Sequence, residues 1–153
     1  MKIMDTPENM DTPEKLQVII DAFRTAPKPL RLQLLLEYAG KVPPLPAHLA
    51  GNREAMERVH ECQTPFFLAT QFLEGGRVAL HFDAPPEAPT TRGFAGVLVE
   101  GLSGLSAKEV LATPDDFYTH MGLAEVISPL RLRGMSAIMG RLKRQLREHQ
   151  DGA

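Results

Sequence analysis

Cysteine is almost absent from this sequence: Cys62 is the only one in 153 residues. A disulfide framework within the chain is excluded, as is any zinc or iron–sulfur site that draws several thiolates from one chain. Long hydrophobic runs are missing too. Each apolar stretch is broken within a few residues by Arg, Glu, Gln or Gly, far short of the ~20 residues that cross a bilayer, so no membrane segment is expected. Residues 1–12 have neither an apolar signal core nor a small-residue cleavage site, and their charges are mainly acidic. Export is not expected, and the cytoplasm is the expected compartment. Nor is there an excess of charge: a formal net charge of −2 gives no field to attract nucleic acid, and a protein or small-molecule partner fits better.

Catalytic and cofactor signatures are equally scarce. The histidines His48, His60, His81, His120 and His149 form no HExxH pattern and no paired ligand spacing, so no metal is expected. His60 and Cys62, two apart, make at most half a metal site; His60 reads better as a surface residue or a tuner of the thiol. The dinucleotide fingerprint, the phosphate-cradling P-loop and the G-x-S-x-G elbow are all absent, which leaves no backbone device for a nucleotide cofactor or a serine hydrolase. A cysteine hydrolase lacks a recognisable base and oxyanion loop.

What is present is ordinary globular material, 43% hydrophobic and 24% charged, enough for one core. We expect a mobile segment over residues 1–12 and a single domain over 13–149. A near-duplicate, Met4-Asp5-Thr6-Pro7-Glu8 and Met10-Asp11-Thr12-Pro13-Glu14, carries two helix-start patterns, and only the second precedes an apolar periodic run. The first helix is placed over 13–25, with Leu16, Ile19, Ile20 and Phe23 on its buried face. A second over 30–38, closed by Gly40, makes an antiparallel pair with it. Residues 41–52, with three prolines, read as a surface loop leading to the cysteine. A hairpin follows, with strands over 66–73 and 77–82 joined at Glu74-Gly75-Gly76, and a third strand falls in the loop before Cys62. Residues 92–102 read as a buried helix facing the sheet, although their small residues leave a strand alternative open. Ser106 caps a helix over 107–111, Pro114 opens a short one over 114–120 that Gly122 stops, and Ser128-Pro129 starts an amphipathic C-terminal helix. Its Leu132, Met135, Ile138, Met139, Leu142 and Leu146 lie opposite a solvated face of Arg141, Lys143, Arg144 and Arg147. The fold class is α+β, a small antiparallel sheet packed on one face by helices.

Cys62 stands in Glu57-Arg58-Val59-His60-Glu61-Cys62-Gln63-Thr64-Pro65, at the junction of a polar loop and a strand. Bracketed by charge, it is expected to be more accessible than a core cysteine. Arg58 and His60 lower its pKa and Glu57 and Glu61 oppose them, so local charge does not decide its reactivity. On composition alone a plain structural cysteine is an equal alternative.

Several segments together resemble the SufE family in order and spacing over residues 12–146. They are the helix pair and proline-containing loop, Cys62-Gln63 before a hairpin, Arg92-Gly93 opening an apolar helix, Met121-Gly122-Leu123, and Ser128-Pro129-Leu130-Arg131 with Gly134-Met135. The resemblance implies a SufE/IscU-like fold and a sulfur acceptor that needs no cofactor of its own. Cys62 would take persulfide sulfur from a PLP-dependent cysteine desulfurase of the SufS type and pass it to an iron–sulfur cluster assembly scaffold, stimulating the desulfurase without independent catalysis. Arg131 matches the family arginine near the cysteine loop, with a role in holding that loop or docking the partner. A homodimer is compatible with this reading. The family's acidic position after the hairpin falls on Asp83 or Glu87. The chain departs from the family in carrying Glu61 where a small residue is usual, and Thr64-Pro65-Phe66-Phe67 after the Cys-Gln pair. The alternative is a non-catalytic interaction module of the same fold with an inert cysteine.

Overall fold

The structure, a computed structural model, describes residues 11–152. The expected mobile segment over 1–12 lies outside the described residues but for its last two positions.

Helix α1 (Glu14–Thr25) follows Pro13 and buries Leu16, Ile19, Ile20 and Phe23 on one face, the stripe that helical spacing dictates. Helix α2 (Lys28–Ala39) starts two residues before the expected boundary because Pro29 occupies the first turn, where its missing N–H costs no bond. Gly40 keeps right-handed angles (φ −77°, ψ −5°), so it closes the helix without the left-handed cap that a glycine there suggests.

The two helices are not each other's main partner, as the expected pair requires; both pack chiefly on α3 (Pro89–Leu102). The small residues of α3 explain why. Gly93 lies on the Leu35 backbone, Gly96 on the Tyr38 carbonyl and Gly101 on Leu16, so close that a Cβ at any of them would overlap. These glycines are crossing points between helices, and the strand alternative falls away. Arg92 fastens the same junction, donating from Nε to the Ala39 carbonyl at 3.0 Å and from Nη1 to the Ala84 carbonyl. The Phe23 and Tyr38 rings meet at 5.7 Å where α1 and α2 do touch.

The sheet has strands β1 (Glu57–Arg58), β2 (Phe67–Phe72) and β3 (Val78–Asp83), in that order and antiparallel throughout. The pairs Leu68 with Phe82, Thr70 with Leu80 and Phe72 with Val78 put one set of side chains on one face, as a period of two demands. That face is covered by α3 and by α5 (Pro129–Gly152). Gly75 (φ 81°) and Gly76 (φ 76°) make the hairpin turn in conformations that favour glycine. The arrangement is the expected α+β fold, with helices on one face of a small sheet.

Ser106 caps α4 (Ala107–Ala112) through a capping box with Glu109. The segment expected as a helix over 114–120 is a 3₁₀ turn (Phe117–Met121), closed at Gly122 with φ 72°. It delivers Phe117 and Tyr118 to the Phe94 ring at 5.7 and 6.0 Å. On α5, Met135, Ile138, Met139, Leu142 and Leu146 are buried as expected. Lys143 is a correction: it is 6% exposed rather than solvated. Its Nζ donates to the Thr113 carbonyl and pairs with Asp115 at 2.5 Å, so the buried ammonium has partners.

Gly96→Ala is expected to cost about 3 kcal/mol in a denaturant titration, because the obstacle is backbone and cannot swing aside. Gly140→Ala, on the same kind of helix but with open space at its Cβ position, is expected to add about 0.5–1 kcal/mol. Equal effects at the two sites would refute close crossing as the reason for the α3 glycines.

Candidate functional site

The cysteine loop hangs between two anchors. Val59 and Phe66 are both fully buried, and the Val59 N–H donates to the Phe66 carbonyl at 2.8 Å, closing the neck. Inside it the Cys62 N–H turns back to the Val59 carbonyl at 3.2 Å. Pro65, which has no N–H to give, stands just before β2 begins. The loop then folds down onto α5 rather than out into solvent. Gly134 makes this approach fit, since a Cβ there would lie 3.3 Å from the Cys62 sulfur.

Cys62 is therefore only 7% exposed and belongs to the apolar core cluster, against the expectation of an accessible thiol. Polar neighbours in sequence do not prevent burial when the loop carrying them lies flat on a helix. Burial pushes the thiol up to about 11; the Glu61 charge adds to the shift and Arg141 opposes it. Arg141 is the cation that lowers the thiol, a task that local sequence assigns to Arg58 and His60. His60 is exposed and its charge bears on Glu61 instead.

A cavity of about 160 Å³ opens beside the sulfur, lined among others by Cys62, Gln63, Glu87, Thr91, Arg131 and Gly134. Ser128 caps α5, its Oγ accepting the Arg131 N–H at 3.3 Å. Arg131 and Gly134, one turn apart, thus face the same opening. The Arg131 guanidinium has no hydrogen-bond or ion-pair partner among the described residues, and it is exposed. Of the two acidic candidates, Glu87 lies at this cavity, whereas Asp83 pairs with Arg53 at 2.8 Å.

The residue that sequence reasoning missed is Arg141. Its Nη1 pairs with Glu57 at 2.7 Å and its Nη2 with Glu61 at 2.9 Å, Nε also donating to Glu61 at 3.3 Å. Burial pushes Glu57 up, but hydrogen bonds from Gln145, Arg141 and Arg144 outweigh it and hold the carboxyl below the usual range. The hydrogen bond from Arg141 is the chief cause of a lowered Glu61. The only signal in the sequence was complementary charge, Glu57 and Glu61 against Arg141 and Arg144, on segments some eighty residues apart. No group of three or more His, Cys, Asp or Glu gathers as a metal site among the described residues. None of their helices is long and apolar enough to cross a membrane.

The fold agrees with the comparisons to known proteins. The family model SufE, described as an Fe-S metabolism associated domain, matches residues 17–146. The chain belongs to the SufE family. An uncharacterized SufE-like protein of Mycobacterium tuberculosis is 51% identical over 145 residues, covering 95% of this chain and 99% of that one. The cysteine desulfuration protein SufE of Plasmodium vivax is 28% identical over 131 residues, covering 84% of this chain and 51% of its own length. The solution structure of a hypothetical protein from Thermus thermophilus matches with a TM-score of 0.79 at 50% identity, over 90% of this chain and 96% of that one.

A raised thiol pKa means that the neutral form persists to higher pH in the fold than in the unfolded chain. Iodoacetamide alkylation of native Cys62 is expected to keep accelerating well above pH 9. The urea-unfolded chain should level off near the ordinary value of about 8.5. Superimposable profiles would show that the fold does not desolvate the thiol.

Proposed function

We propose that this chain is a sulfur acceptor for a PLP-dependent cysteine desulfurase. The observation that carries the reading is the placement of the only thiol of a SufE-family chain. It sits at a loop tip, against Gly134 and at the same cavity as Arg131, whose guanidinium has no partner among the described residues. The Cys62 thiolate attacks the outer sulfur of the desulfurase's cysteine persulfide. A new S–S bond forms to Cys62, the old one breaks, and the desulfurase cysteine leaves as a thiolate. Cys62 then carries the persulfide to an iron–sulfur assembly scaffold, and its departure frees the desulfurase for another turnover.

Burial decides the order of events. A thiol that is 7% exposed cannot reach into a partner's pocket, so the loop leaves α5 first. Lifting it removes the desolvation that raises the pKa, so exposure and activation of the nucleophile are one step. Arg131, exposed at the rim, would hold the loop or meet the partner, and of the two candidates for the family's acidic position Glu87 fits better, since it lines the same cavity.

The same burial favours one competing reading, an interaction module whose cysteine is inert. Intact-mass spectrometry after incubation with a cysteine desulfurase and cysteine separates the two. The acceptor gains one or more sulfur atoms that reductant removes, Cys62→Ser gains none, and Arg131→Ala gains fewer at unchanged melting temperature. Several desulfurases, one from the same cell among them, that load no sulfur and gain no turnover would leave the inert module as the better account.

A further inference from the structure

The cation on which the cysteine loop rests has one fixed side and one releasable side. Glu57 is held by Arg141, Arg144 and Gln145 together, the last donating from Nε2 at 2.8 Å. Gln145 is itself pinned to β2, its Oε1 accepting from the Thr70 N–H at 3.0 Å and the Thr70 hydroxyl at 2.9 Å. Glu57 is thus part of the frame. Glu61, the residue before the cysteine, has Arg141 as its only hydrogen-bonded side-chain partner among the described residues, and its side chain is 46% exposed against 24% for Glu57. Arg141 therefore reaches from a fixed carboxylate to a solvent-facing one whose backbone leads directly into Cys62.

We propose that Arg141 is a positioning residue that latches the Cys62 loop to α5 through Glu61, and so sets how often the thiol is presented to a partner. The loop has few other ties. Between the buried anchors Val59 and Phe66, it is seated by the Cys62 sulfur on Gly134 and by this pair. An ion pair as exposed as this one is weak, which suits a latch. It biases the loop toward its seat, and an approaching partner can break it without unfolding the frame. The purpose assigned to the latch rests on Cys62 being the sulfur acceptor, but the latch can be tested without a desulfurase.

Arg141 acts on the thiol in two ways of opposite sign, and this makes the test decisive. As a nearby cation it favours the thiolate, so losing it slows alkylation if charge is all it contributes. As a latch it keeps the loop closed, so losing it speeds alkylation. Iodoacetamide labelling of the full chain at pH 7.5 is expected to be about two- to fivefold faster in Arg141→Gln than in wild type. Arg141→Lys should return toward the wild-type rate. Added salt should accelerate wild type and leave Arg141→Gln unchanged. Unchanged or slower labelling in Arg141→Gln overturns the latch.

If Arg141→Gln loses its fold, Glu61→Gln keeps every Glu57 contact and takes its place. The readout is then hydrogen exchange at the Cys62 amide, which does not depend on the thiol pKa. Faster exchange supports the latch, and unchanged exchange overturns it. A wild type that takes no sulfur from any desulfurase, with Arg141→Gln still labelling faster, would end the acceptor reading and keep the latch. Normal loading with no change in labelling would end the latch alone.

Discussion

The seating of α5 on β2 is the constraint from which the rest of the site follows. The helix lies on the sheet through Met135, Ile138, Met139, Leu142 and Leu146, all buried, and their apolar area supplies the energy of the contact. Gln145 fixes its register by bonding Thr70 on β2 and Glu57 at β1. Lys143 ties the opposite flank to Thr113 and Asp115. With those contacts made, Gly134 falls under the cysteine, Arg131 at the mouth of the cavity and Arg141 beside the loop. A rotation of the helix by one residue, about 100°, would remove all three at once.

The fold was legible wherever the cause is local. The apolar stripe of α1, the Gly-Gly hairpin, the Ser106 capping box and the Ser128-Pro129 start of α5 each announce themselves within a few residues. What the sequence hid depends on neighbours distant along the chain. The glycines of α3 take their meaning from Leu35, Tyr38 and Leu16, and without those partners they read only as weak helix formers. Lys143 looked solvated because nothing near it in sequence reveals the carbonyl of Thr113. For the same reason the pairing of Arg141, one residue of a run that looked like a solvated helix face, with Glu61 of the cysteine loop stayed out of sight.

The site was half legible. Cys62 stood out because it is alone, and Arg131 because of the pattern around it, and the cavity holds both. The burial of the thiol was not legible. Whether a charged loop stands clear of a helix or lies on it depends on the helix offering a gap, and Gly134 is that gap. Glu61, a departure from the small residue usual in the family, is coupled to Arg141. An acidic side chain beside a nucleophile opposes its ionisation, and a facing guanidinium offsets part of that opposition.

A lone thiol kept inside the fold also governs how copies of this chain treat one another. A disulfide draws two Cα atoms to within about 4.4–6.8 Å, which two folded copies cannot reach while both loops are seated over their sulfurs. Covalent self-capping therefore needs two loops lifted at the same moment. Its rate falls with the square of the open fraction, whereas an encounter that needs one open loop falls only with the first power. The rarer the opening, the more strongly the fold discriminates against its own copies, so a chain with no second cysteine to rescue it is protected from disulfide capture by its own copies by the infrequency of its exposure.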